Sequence, residues 1–125
     1  MLQLLDNLPA CWCTAVQAAL LGDALGVPHE FKPGHQLPPS VAIQMVMPEG
    51  YRKTYSTIPY GVWSDDGSQL LALLAVLIRG RGQYDETRFA ENLLAWWRTG
   101  RFQAGGVVFD VGGQTRAALR DRAAA

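Results

Sequence analysis

The chain's apolar positions fall in long blocks and its polar positions gather between them, so helices rather than alternating strands are expected. From Ala10 to Leu25 nearly every residue is small or apolar, with Gln17 and Asp23 the strongly polar members. Pro9 suits the first turn, and Gly26 followed by Pro28 supplies a stop, which predicts a buried central helix. Leu70 to Ile78 is apolar at every position. It predicts a second helix from about Asp66 to Arg79, buried all round and closed by Gly80-Arg81-Gly82. In a third, Phe89, Leu93, Trp96 and Trp97 share one face, Asp85 caps the start and Gly100 ends it. Gly105 to Gly113 reads as a glycine-flanked turn around Val107-Val108-Phe109-Asp110, with a fourth helix over Gln114 to Arg122.

Between the first two helices, Pro28 to Tyr60 holds six of the chain's seven prolines and no sustained period. This is a long loop that forms a rim and delivers the chain to Ser64. Val41 to Met47 has strand-like residue types, although Met residues and flanking prolines oppose a strand. The expected architecture is a single all-α domain over residues 1–125 with a long loop between its first two helices.

The informative stretch is Gly61-Val62-Trp63-Ser64-Asp65-Asp66-Gly67-Ser68-Gln69. It sets a hydroxyl and two adjacent carboxylates at the mouth of an apolar helix, where ionised acids need helix-terminal N–H groups, a cation or open water. One reading is a cap, with Asp66 accepting a backbone N–H, Gln69 closing a capping box and Asp65 in solvent. The other is a hard-cation site, because Mg2+ takes a few carboxylate and hydroxyl oxygens and fills its shell with water. Asp23, in the first helix, reads as a hydrogen-bonded structural carboxylate.

Composition narrows the partners. Eleven Lys and Arg balance eleven Asp and Glu in 125 residues, so no long-range field attracts nucleic acid or an anionic membrane. The Leu70–Ile78 run is too short to cross a bilayer and the N-terminus lacks a signal peptide's basic flank, giving a cytoplasmic expectation. Cys11 and Cys13 diverge on a helix and are expected to be free, mostly buried thiols; with His29 and His35 they do not make finger spacing. Gly112-Gly113-Gln114-Thr115 lacks the lysine and leading glycine of a phosphate loop, and the common serine-hydrolase, zincin and dinucleotide motifs are absent.

Four patterns occur in order: Leu21-Gly22-Asp23-Ala24-Leu25-Gly26-Val27-Pro28 with Glu30-Phe31; Trp63-Ser64-Asp65-Asp66; Trp96-Trp97-Arg98-Thr99-Gly100; and Phe109-Asp110-Val111-Gly112. As an ordered set over roughly Ala15 to Leu119, they resemble the N-terminal half of an ADP-ribosylglycohydrolase. The resemblance implies an all-α fold and a binuclear Mg2+ centre (Mn2+ in some members). The implied reaction removes ADP-ribose from a modified side chain of a protein or from a related small acceptor. It also implies Ser64, Asp65 and Asp66 as metal ligands, Glu30 as the acid beside the metals, and Asp110 as an acid in the substrate cleft. The chain departs from the family in carrying Gly67-Ser68 where many members place a threonine. It also lacks the later Asp-x-Asp-Thr or Asp-x-Asp-Ser motif that completes the metal cage; Asp121, among arginines, reads as part of a solvated face.

The residue types suit the implied chemistry. A hard cation binds ribose hydroxyls, and a partly buried Glu30 or Asp110, near Phe31 or Phe109, handles a proton as acid or base. The competing function is a non-catalytic domain that holds ADP-ribose or a protein partner. Ala123-Ala124-Ala125 carries no stop signal, so the chain reads as truncated, with self-association or a companion C-terminal segment covering its apolar surface.

Overall fold

A computed structural model describes residues 9–124. The readings of the N-terminal flank (1–8) and of Ala125 lie outside them. The described residues form four α-helices: α1 (Ala10–Gly26), α2 (Asp65–Arg79), α3 (Glu86–Thr99) and α4 (Gly113–Ala124). No strand occurs among the described residues, so the fold is all-α. The α1–α2 connection is punctuated by 3₁₀ turns at Val27–His29, Gly34–Gln36 and Ser40–Ala42. Val41 is 93% exposed, and Val41–Met47 forms no strand, because Pro38-Pro39 stiffen its approach and only Met47 is buried.

α2 is the packing centre. Leu71, Ala72, Ala75 and Val76 recur at helical spacing and are buried against α1 and α3, each larger side chain contributing about 1.5–3 kcal/mol of burial. Val16 and Leu20 of α1 meet Leu71, with Trp63 and Phe102 packed beside them. Trp96 of α3 is fully buried, and Asn92 Nδ2 donates to the Ala72 carbonyl at 3.0 Å, so α3 is held to α2 by both packing and a buried polar bond. Asp85 accepts from Arg88 N at 3.0 Å, and Gly100 ends α3 at φ 70°. A Cβ on Gly100 would stand 2.0 Å from the Gly106 carbonyl oxygen, so glycine is required where the chain turns back.

Three expectations are corrected. α1 is not buried all round: Val16, Leu20 and Ala24 form one buried stripe, while Trp12 and Leu21 are 63% and 53% exposed. A continuously apolar sequence has no period to reveal which face packs. α2 likewise buries one side and leaves Leu73, Leu74, Leu77 and Ile78 half-buried. Cys11 is exposed and Cys13 half-buried, both free, because they ride on the uncovered part of α1. By length and composition alone, Ala10–His29, with hydropathy 1.4, reaches the size of a membrane span, which the Leu70–Ile78 run does not. That helix nevertheless docks on α2 through its apolar stripe and through Asp23.

Candidate functional site

The site forms where α1, the long loop and the α3–α4 connection meet the N-terminus of α2. Ser64 is buried and is the cap: its Oγ accepts from Asp66 N at 3.2 Å. The expected cap at Asp66 is therefore displaced by two residues, because the shorter hydroxyl side chain reaches the free N–H without leaving the loop. Gln69 does not reach back to the cap backbone; its Nε2 donates to Asp65 Oδ2 at 3.1 Å. Asp23 takes the remaining load. Ser64 N donates to both of its carboxylate oxygens at 3.1 Å, and Gly67 N donates to Oδ2 at 2.8 Å.

The other side of this loop is fixed by Gln103, a loop glutamine with no local mark of its role. Gln103 is buried; its Oε1 accepts from Ser68 Oγ at 2.8 Å and from Trp96 Nε1 at 3.2 Å, and its Nε2 donates to the Trp63 carbonyl. Trp63 Nε1 in turn donates to the Phe102 carbonyl at 2.9 Å. Glu30 is held differently. Thr54 N donates to the Pro28 carbonyl at 3.2 Å, Thr54 Oγ1 donates to the Glu30 carbonyl at 2.6 Å, and Lys32 Nζ donates to the Arg52 carbonyl. His29 Nδ1 lies 2.5 Å from the Tyr51 hydroxyl. The returning segment Tyr51–Tyr55 thus clamps Pro28–Lys32 and places Tyr55 beside Glu30, with the Tyr55 ring edge-on to Phe109 at 5.0 Å.

These contacts bring four groups into one neighbourhood. Glu30 is pushed up to about 7 by burial first and then by Asp110, with Asp23 adding repulsion and the Tyr55 hydroxyl opposing. Asp65 is pushed up to about 6 by burial, then by Asp66 and Asp110, against a backbone N–H of Gly112. Burial, then Asp110 and Glu30, raise the Tyr55 phenol. Glu30 Oε2 is buried with no hydrogen-bond partner among the described residues, and protonation of Glu30, which burial and the neighbouring Asp110 favour, relieves that cost. Phe31 is 81% exposed, so Glu30 is not sheltered by its neighbour, as the sequence implied; the loop does that work. Phe31 and Asp110 both hold the left-handed region, at φ 57° and 53°. Left-handed backbone therefore accompanies both acids, at Asp110 itself and at Phe31 next to Glu30.

The structure thus gathers Glu30, Asp110 and Asp65, with Ser64 beneath and Asp66 exposed at the edge. Tyr55, Thr54 and Gln103 escaped the sequence reading, since each acts on a partner far along the chain. The donor chemistry fits one side of a hard-cation centre: two adjacent carboxylates and a hydroxyl, with no described residue donating to the Asp66 carboxylate. Among the described residues, no group of three or more His, Cys, Asp or Glu converges closely enough to hold a metal ion alone.

The sequence profile described as ADP-ribosylglycohydrolase matches residues 13–125. ADP-ribosylarginine hydrolase Tri1 of Serratia proteamaculans (strain 568) is 35% identical over 105 residues, which are 84% of this chain and 26% of that protein. ADP-ribosylarginine hydrolase Tri1 of Pseudomonas putida (strain GB-1) is 31% identical over the same length and shares. The chain spans about a quarter of the length of these curated relatives. No solved structure matches it significantly.

Proposed function

The chain belongs to the ADP-ribosylglycohydrolase family, and from that premise we propose that it supplies the acidic side of an ADP-ribosyl hydrolase site acting on ADP-ribosylated arginine. The observation that carries the reading is how the α2 N-terminus is satisfied. Ser64 and Asp23 take the N–H groups of Ser64, Asp66 and Gly67, so the Asp66 carboxylate is not consumed as a cap, and Asp65 lies beside Asp110, which in turn neighbours Glu30. Asp65 and Asp66, with Ser64, would hold a divalent cation, Mg2+ or Mn2+, and that ion, when bound, supplies positive charge for ribose hydroxyls.

The chain's own residues handle the proton. A carboxyl poised near 7 is partly protonated at neutral pH, so Glu30 can give a proton to the leaving nitrogen or take one from water as the C1″–N bond breaks. Among its neighbours, Asp110 does most to hold that proton on Glu30. A cytoplasmic setting agrees with free, unpaired cysteines.

The test is release of ADP-ribose from ADP-ribosylated arginine with Mg2+, using this chain alone and supplemented with the part of the Serratia relative beyond the matched region. Loss of about 100-fold or more in Glu30→Gln is expected wherever turnover occurs. Full activity in Glu30→Gln would overturn the assignment. A second reading, a domain that holds ADP-ribose without turnover, is favoured because no three ligands converge among the described residues. Calorimetry showing ADP-ribose binding with no hydrolysis in either mixture would select it.

A further inference from the structure

Asp23 only accepts, and it makes three of the contacts that define the site. Its carboxylate accepts from the amides of Ser64 and Gly67. The residues between those amides are Asp65 and Asp66. Pinning both ends of a two-residue segment to one rigid carboxylate leaves it little backbone freedom, so the directions of its two side chains follow from where α1 places Asp23.

Residue 67 decides whether that carboxylate can arrive. A Cβ on Gly67 would lie 2.8 Å from Asp23 Oδ2, 2.8 Å from Trp63 Cδ1 and 2.9 Å from Trp63 Cβ. Trp63 cannot yield, because its indole N–H is bonded to Phe102 and its carbonyl to Gln103. Asp23 cannot yield without breaking the 2.8 Å bond to Gly67 N. Gly67 sits inside the first turn of α2, where glycine is a poorer helix former than alanine, so the helix itself gains nothing from it. Close approach explains the residue.

We propose that Asp23 and Gly67 form one positioning device for the acidic pair, Asp23 aiming Asp65 and Asp66 through the backbone and Gly67 admitting it. The inference rests on the reading of Asp65 and Asp66 as cation ligands, but the device itself is testable without a cation. Both act through the segment between Ser64 and Gly67. Replacing Gly67 by a residue with a Cβ drives the carboxylate away and turns the pair.

The test uses the whole chain with two readouts, amide hydrogen exchange at Ser64 and Gly67 and Mn2+ binding followed by the metal's electron spin resonance. Gly67→Ala changes no charge and removes no ligand. On helix propensity alone it should stabilise α2. The device predicts the opposite: faster exchange at both amides, and Mn2+ affinity lower by about tenfold, the usual effect of losing an orienting partner. Asp23→Asn, which keeps an acceptor and the side chain's shape, should retain partial protection and serves if Gly67→Ala does not fold. Unchanged exchange at Ser64 and Gly67 in both variants would overturn the proposal. If the unaltered chain binds no Mn2+ yet the amides respond as predicted, the device stands and the cation reading falls.

Discussion

Gln103 offers a direct test of whether the site loop is held by a buried polar network. Gln103→Leu keeps much of the volume but removes both ends of the amide. Ser68 Oγ still has the Ser64 carbonyl at 3.0 Å. Trp96 Nε1 and the Trp63 carbonyl lose their partners, and Trp96 is fully buried. Each buried group left unsatisfied costs about 1–3 kcal/mol, so a loss of about 3 kcal/mol is expected. That is a large share of the roughly 5–15 kcal/mol typical of a folded domain. Urea denaturation followed by tryptophan fluorescence measures it, with the slope unchanged if only stability moves. Adding Trp96→Phe removes the orphaned N–H, so the double variant should recover about 1 kcal/mol relative to the sum of the singles. A Gln103→Leu variant within about 0.5 kcal/mol of the parent would refute the network.

Three further outcomes are expected. Because Glu30 and Asp65 are raised to about 7 and about 6, their contribution to stability is fully present below their unfolded values near 4 and is lost as pH rises through 6 to 7; thermal melts at low salt should show a more stable chain at pH 5 than at pH 8. Mg2+ or Mn2+ should bind no more tightly than about millimolar and should flatten that pH dependence by favouring the ionised acids, with Asp66→Ala removing both effects in calorimetry and in the melts. A groove of about 560 Å3 lined by Pro9, Trp12, Leu74, Leu77 and Ile78 should make the chain self-associate, so light scattering should report a smaller species for Trp12→Ser than for the parent.

What was legible depended on whether the cause lay nearby in the chain. α3 could be read almost to the residue, since Asp85, its apolar face and Gly100 are all local signals. The acidic pair stood out because two carboxylates before Leu70–Ile78 conflict with an apolar core. The cap identity was not legible: Ser64 and Asp66 are both good capping residues, and only the tertiary position of Asp23 decides between them. Nor was the exposure of α1, whose uniform apolarity hides its packed face. Gln103 and Tyr55 carry no local mark at all, because a glutamine or tyrosine in a loop gains its role from partners such as Trp63 and Phe109.

On the proposed function, the polar accounting around α2 also constrains where an ADP-ribosyl group would lie. A helix N-terminus is ordinarily a ready anion site, and the pyrophosphate of such a substrate would be drawn to one. Here Asp23 already occupies the amides of Ser64 and Gly67, Ser64 Oγ occupies that of Asp66, and the neighbouring carboxylates repel a further anion. The pyrophosphate is therefore expected to point away from α2, leaving the ribose end, which carries hydroxyl donors and no charge, to face Asp65, Glu30 and Asp110. Inorganic pyrophosphate added to the chain should consequently leave amide exchange at Ser64, Asp66 and Gly67 unaltered. Protection of those amides would mean that Asp23 gives way to an anion and that the substrate lies in the opposite sense.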